Sequence, residues 1–227
     1  MYESFFDNNR QSVMRNYFLN ELSKIGKIQK YNKNEIIDMD IENNVGIVVE
    51  GVISQSIISL KGNEKLLYLI RPGEILGEMT YFSGGTDYIV TIAKENSQVS
   101  IINREILEIE LSKNPKVYRH FIHSITRKFR IVMLQLTNNI FNDSTGKIAD
   151  ALLRLSACAE PDSKGRTSVN MIYTHQELAN NIGCSRITVT RCLNKFQDEG
   201  IISYENKNII INKPDSLKEY INTVVEE

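Results

Sequence analysis

Disulfides are the first stabilising device this sequence does without. Its 227 residues include three cysteines, Cys158, Cys184 and Cys192, an odd number confined to the last third. Their gaps fit no zinc pattern, so small thiols in a reducing cytoplasm are the expectation. Long apolar runs are missing too. No stretch approaches the roughly 18 residues of a membrane helix, and "MYESFFDNNR" lacks the basic start and apolar stretch of a secretory leader. Membrane attachment is therefore not expected. Neither sign of charge is in excess: 27 Lys and Arg stand against 28 Asp and Glu, for a net charge of −1. Spread evenly, that balance would argue against a nucleic-acid partner, so it has to be tested region by region. Residues 1–115 carry 12 basic and 16 acidic side chains, residues 116–142 five and none, and the remainder 10 and 12.

What is present is ordinary for a soluble globular chain, with 24% charged and 41% apolar residues. The length suits one large or two small domains, each able to bury a core. Residues 31–103 read as β structure, with short runs such as "VGIVVEGVISQSIISL" and "KLLYLIRPG" punctuated by Gly and Asn. "LKGNEK" reads as a hairpin turn and "RPGEILGE" as a tight turn entering a short helix. Many short strands of this kind predict an antiparallel sandwich or roll. A helical leader, "RQSVMRNYFLNELSKIG", precedes them.

The pattern changes at residue 114. Val117, Phe121, Ile125, Phe129, Val132, Leu136 and Ile140 recur every three or four positions, which predicts one long amphipathic helix over 114–142. Pro115 suits its first turn. The stripe needs a cover, and a coiled-coil-like homodimer is the economical one. The basic side chains of this helix are expected on a solvated face, or paired with acidic residues of the preceding domain. After a break at 141–145, "GKIADALLRLSACAE" predicts another amphipathic helix.

The most specific signal comes last. Thr174 and Glu177 form a Thr-x-x-Glu capping box. Gly183 ends that helix, and Ser185 caps a second one whose apolar face is Val189, Cys192, Leu193 and Phe196. Gly200 closes it, and "IISYENKNIII" predicts a β-hairpin with Asn206, Lys207 and Asn208 at the tip. These elements make a winged helix-turn-helix. No acidic residue interrupts 183–196, and a basic, hydroxyl-rich helix face suits phosphates and base edges.

With these motifs the chain resembles the family of the cyclic-AMP receptor protein and the fumarate-nitrate regulator (Crp/Fnr). "VVEGVIS", "RPGEILGEMTYFSGG", "NP" opening a long helix, "STGKIADALLRL" and "THQELANNIGCSRITVTRCLNKFQDEGIIS" carry the resemblance. It implies an α+β fold in three parts. Residues 1–113 would form an effector-sensing, antiparallel β-roll (jelly-roll) of the cyclic-nucleotide-binding type with its helical leader. Residues 114–142 would form a dimerisation helix, and 143–227 a winged helix-turn-helix domain. It also implies a cytoplasmic homodimer that binds palindromic double-stranded DNA, and RNA polymerase as a further partner near "EPDSKGRTS". Base contacts would fall to Arg186, Ile187 and Arg191, with Thr174, Ser185, Thr188 and Lys207 as phosphate or supporting contacts. Effector signals would turn the DNA-binding domains about Asn142 and Asp143.

The effector site departs from the cyclic-AMP pattern. Gly77 and Glu78 stand where the family's Gly-Glu pair does, but Tyr88 and Ile89 replace its phosphate-binding Arg and small residue. Val132 and Met133 replace two hydroxyl residues that touch adenine. A phosphate without its cation loses a charge-assisted pair, so cyclic AMP is not the expected effector. No cofactor is expected either. No cysteine precedes Cys158 to hold an iron–sulfur cluster, and His120, His123 and His175 are the only histidines. The expected pocket is lined by Gly77, Glu78, Tyr81, Phe82, Tyr88, Ile89, Phe129, Val132 and Met133 and suits a small, partly apolar organic molecule. "EKLLY" and the Tyr-for-Arg exchange resemble halophenol-responsive regulators, which implies an aromatic acid or phenol. The alternative is that these side chains fill the roll's own core and regulation is constitutive. Enzyme motifs are lacking: neither a phosphate loop nor a Ser-His-Asp set can be found. A scaffold that uses the same modules without reading DNA is the remaining rival.

Overall fold

The computed structural model describes residues 6–85, 88–156, 159, 161–169, 174–206 and 208–222. The chain divides into two compact units, one spanning Asn8–Ile131 and one formed mainly by Val132–Glu227. The division falls inside the long helix rather than at either of its ends.

In the first unit a helix, α1 (Asn8–Asn20), leads into seven strands: β1 (Lys27–Tyr31), β2 (Asn44–Glu50), β3 (Ile53–Ile58), β4 (Glu64–Ile70), β5 (Ile75–Leu76), β6 (Ile89–Ala93) and β7 (Ser97–Asn103). They form two antiparallel sheets, β1-β7-β2-β5 and β4-β3-β6. Alternation along β2 explains the layering. Val45 and Ile47 face a cluster with Phe18, Leu107 and Phe121, whereas Val48 faces one with Ile53, Ile70 and Val99. Period-two side chains thus fill a core on each side of one sheet. Helix α2 (Glu78–Ser83) lies between β5 and β6, and α3 (Arg104–Lys113) follows β7. Helix α4 (Tyr118–Phe141) then runs on from a short 3-10 turn at Pro115–Val117.

The sequence reading is corrected in two places here. Strand structure begins at Lys27, not Tyr31, because β1 is exposed at four of its five positions and shows no apolar alternation. Helix α3 was not foreseen. Its start is fixed by Asn103, whose side chain accepts a hydrogen bond from the Glu105 N–H. The apolar stripe of 117–140 is covered over only part of its length by the chain itself. Val117 and Phe121 are buried, while Phe129 (63%), Leu136 (50%) and Ile140 (63%) are exposed in the single chain.

The second unit contains α5 (Ser144–Ser156), β8 (Thr167–Ser168), α6 (His175–Ile182), α7 (Arg186–Asp198), β9 (Ile202–Glu205), β10 (Asn208–Ile211) and α8 (Pro214–Lys218). One core joins them, with Leu152, Leu178, Val189, Leu193, Phe196 and Ile211 all essentially inaccessible. The short strand β8, unforeseen, pairs with β10. Asn208 pairs with Glu205 and belongs to β10, so the hairpin tip is narrower than the expected three residues. Asn206 takes a φ of 49° there, a left-handed conformation that Asn tolerates.

The end of α4 is fastened, not loose. Asn142 donates to Asn138 Oδ1 at 2.7 Å and accepts from the Asn222 N–H at 2.6 Å. Asp143 accepts from the Gly146 N–H at 2.8 Å. The expected pivot is therefore a bonded joint within the second unit. Because Leu193 sits at the centre of that unit's core, Leu193→Ala should cost roughly 2–5 kcal/mol. Urea denaturation of the second unit, followed by circular dichroism, measures it.

Candidate DNA interface and effector cavity

The helix-turn-helix is built from caps. Thr174 accepts from the Glu177 N–H at 3.1 Å, and the Glu177 carboxylate takes the Thr174 N–H at 3.0 Å, completing the capping box. Gly183, at φ 71°, ends α6 in the left-handed region, and Ser185 caps α7 by accepting from the Thr188 N–H. The angle between the helices is held by a contact that sequence reasoning missed. His175 Nδ1 and Thr190 Oγ1 lie 2.8 Å apart, and Thr190 also donates to the Arg186 carbonyl at 3.0 Å. Arg154 on α5 donates to Asn181 on α6 at 3.1 Å.

These bonds leave one face of α7 open. Ser185, Arg186, Ile187 (66% exposed) and Arg191 are exposed, as is Thr174, and Thr188 is half-buried with its hydroxyl 2.8 Å from that of Ser185. Lys207, the wing contact, lies outside the described residues. Six of the seven candidate DNA-contacting residues are therefore described, five of them exposed and all on or beside α7. Such a face can present guanidinium donors to guanine and a methyl-bearing side chain to thymine.

The expected effector residues do not converge. Glu78 is 2% exposed and pairs with Lys128 of α4 at 2.6 Å. Lys128 Nζ also donates to the Ile75 carbonyl at 2.7 Å and lies 5.6 Å from the Tyr68 ring centroid. Burial, with the Glu78 charge adding to it, pushes the Tyr68 phenol up to about 12. Tyr81 is 4% exposed and faces the core that contains Phe18 and Phe121. Its hydroxyl donates to Glu108 at 2.7 Å, and the Arg104 guanidinium lies 4.4 Å from its ring centroid. Burial first, then the bond to Glu108, raises its pKa. Phe82 is 39% exposed and packs edge-on to Tyr81 and Phe121. Tyr88 (85%) and Phe129 (63%) are exposed. Val132, half-buried, and Met133, 44% exposed, belong to the second unit.

A cavity of about 340 Å³ does open in the first unit, and of the expected set only Gly77 and Ile89 line it. Its other lining residues are Ile37, Met39, Ile41, Leu76, Gln55, Thr91 and the exposed Asp38, Asp40 and Glu42. Gly77 has to be glycine. Its φ is 85°, and a Cβ there would meet the Met39 methyl at 2.7 Å and the Asn44 carbonyl at 3.1 Å. No Lys, Arg or His is among the lining residues. Among the described residues no group of three His, Cys, Asp or Glu is placed to hold a metal ion, and no helix is long and apolar enough to cross a membrane.

Residues 28–114 match the cyclic nucleotide-binding domain family, and residues 146–220 match the Crp-like helix-turn-helix domain family. The chain belongs to the Crp/Fnr family. It is a Crp/Fnr-type DNA-binding transcription regulator, in a family whose members bind DNA as dimers. The cAMP-activated global transcriptional regulator CRP of Salmonella typhimurium is 28% identical over 166 residues, 72% of this chain and 78% of the relative. Among solved structures, FixK2 from Bradyrhizobium japonicum superposes with a TM-score of 0.74 at 17% identity, covering 88% of this chain and all of the other (100%). CprK complexed with OCPA superposes with a TM-score of 0.72 at 18% identity, covering 87% and 92%.

The Lys128–Glu78 pair makes a stability prediction for this Crp/Fnr chain. Lys128→Met should cost about 3–5 kcal/mol in the first unit, because a buried carboxylate loses its cation. Adding Glu78→Gln should recover most of that loss in a double-mutant cycle read by chemical denaturation.

Proposed function

We propose that this regulator is a homodimer that reads a palindromic operator with α7 and is controlled by a small non-nucleotide effector held in the first unit. The observation that carries the DNA half is the open face of α7, where Arg186, Ile187 and Arg191 are exposed together and no acidic residue intervenes. Arg191 reads a guanine through its two major-groove acceptors, and Ile187 packs on a thymine methyl. Thr174, Ser185, Thr188 and Lys207 fix the helix on the phosphates. The half-site is then A·T-rich around one G·C pair, with half-sites one helical turn, about 34 Å, apart. The exposed side chains of α4 (Phe129, Leu136 and Ile140) supply the dimer surface. RNA polymerase would meet the loop beginning near Pro161, by family position.

The effector half rests on the cavity. Its walls combine the apolar side chains of Ile37, Met39, Ile41, Leu76 and Ile89 with polar ones, no cation is among the described lining residues, and Tyr88 stands exposed where the cyclic-AMP pattern has its phosphate-binding Arg. A phosphate would have no charged partner there. A phenolic or otherwise aromatic molecule fits such walls better than a cyclic nucleotide does. CprK, a structural neighbour, is complexed with OCPA.

A DNA-binding selection on the purified dimer, with and without phenols, aromatic acids, amines and cyclic nucleotides, tests both halves. The expected result is one palindromic site whose occupancy changes with a non-nucleotide compound. Arg191→Ala should weaken that site by about 1–3 kcal/mol while leaving nonspecific binding unchanged. A mobility-shift titration that shows equal loss on specific and random DNA would remove Arg191 from base reading.

A further inference from the structure

The turn that precedes β8 holds a cation against the wing. Asp162 Oδ1 accepts from the Lys164 and Arg166 N–H groups, each at 2.9 Å, and the Asp162 N–H donates to the Arg166 carbonyl at 2.9 Å. These bonds fix the backbone that carries the Arg166 side chain. Its Nε and Nη2 each lie 2.8 Å from Asp162 Oδ2, and its Nη1 lies 2.6 Å from Glu205 Oε1. All three guanidinium nitrogens therefore face carboxylates. The next residue, Thr167, opens β8 and pairs with Ile211 of β10, so the turn leads directly into the sheet that contains the wing.

Glu205 is the charge that needs this partner. It is the last residue of β9, its side chain is 49% exposed, and Asn206 beside it begins the hairpin tip. A carboxylate at that place opposes phosphates that come within a Debye length of it, about 8 Å at physiological salt. Among the described residues Arg166 is the only salt-bridge partner of Glu205. An ion pair this exposed adds little to folding, so its larger effect is on the field that the wing presents.

We propose that Arg166 is a positioning residue for DNA binding: it acts through Glu205, neutralising the carboxylate beside the wing tip so that the tip can settle on a phosphate. This rests on the reading that the wing meets the DNA backbone. Asp162, Arg166 and Glu205 together carry one net negative charge. Losing the Arg makes it two, and losing Glu205 as well restores one. A charge beside the backbone carries no sequence information, so its cost falls on specific and random DNA alike, unlike that of Arg191.

Fluorescence anisotropy of the full-length protein tests it, on a duplex carrying the selected palindrome and on a random duplex of the same length. At low salt Arg166→Gln should weaken both about threefold or more, and the loss should shrink as salt is raised. Glu205→Gln should bind as tightly as the unsubstituted protein or more so. Arg166→Gln combined with Glu205→Gln should recover binding to within about twofold of the unsubstituted protein. Arg166→Lys, which keeps the charge, should lose less than Arg166→Gln. A guanidinium that only shapes the turn gives a loss that persists at high salt and that Glu205→Gln does not repair, and this result overturns the assignment. Unchanged binding by Arg166→Gln overturns it too, while the operator and its dependence on Arg191 stand. Failure of the unsubstituted protein to select any palindrome overturns the DNA reading itself, and the role of Arg166 with it.

Discussion

A carboxylate that is 2% exposed needs a cation, and much of the first unit is arranged around that requirement. Glu78 opens α2 directly after Gly77, whose left-handed backbone lets the chain pass against Met39 and Asn44. The cation comes from α4, fifty residues further on, and the same ammonium takes the Ile75 carbonyl beside it. One side chain thus ties together β5, α2 and the first half of α4. Breaking the pair by halves leaves a buried charge, so the arrangement has only two inexpensive states: both charges kept, or both removed. The cavity beside Gly77 inherits this rigidity, since Leu76 and Gly77 form part of its wall.

The second unit solves its positioning problem with single hydrogen bonds between its helices. His175 to Thr190 holds α6 against α7, Arg154 to Asn181 holds α5 against α6, and Asn142 ties the end of α4 to the chain beyond α8. Asn138 adds a bond to the Lys147 carbonyl at 3.3 Å. With these in place the last turn of α4 belongs to the winged helix-turn-helix unit. Helix α7 and the exposed side chains at the end of α4, such as Ile140, share one bonded framework. That is the geometry a reader of two symmetric half-sites needs, because half-site spacing is only as well defined as the joint that sets it.

The helix-turn-helix was legible because each of its signals is local. A Thr-x-x-Glu box, a turn glycine and a Ser cap act within four residues, so their spacing in the sequence is their geometry in space. The apolar stripe of α4 was legible for the same reason. What escaped reading was non-local or lacked contrast. Strand β1 is held by pairing with β7 and not by an apolar face, and β8 is a two-residue addition to β10. Tyr81 and Tyr88 look alike in the sequence, yet one is buried against Glu108 and the other is 85% exposed. Glu78 was read as a ligand contact because no local signal announces a partner fifty residues away. Lys128 is one of the five basic residues of 116–142 expected to be solvated or paired with the preceding domain, and it is paired. Gln55 and Thr91 carry no motif and become neighbours only when β3 and β6 pair.

The near-zero net charge now has a physical content that the total concealed. In the second unit Arg166 is taken up by Asp162 at 2.8 Å and Glu205 at 2.6 Å, Lys218 by Asp215 at 2.7 Å, and Arg154 faces Asp150 at 3.9 Å within the core. Arg186 and Arg191, both exposed, carry no salt bridge among the described residues. Residues 143–227 carry 10 basic and 12 acidic side chains, and a near-balanced domain of this kind displaces few counterions on arbitrary DNA, which keeps nonspecific affinity low. On the proposed reading, discrimination comes from base contacts made twice and from the spacing between them. The acidic side chains elsewhere in the unit do not weaken such a protein as a reader of sequence; they lower the background against which the exposed guanidinium groups of α7 are read.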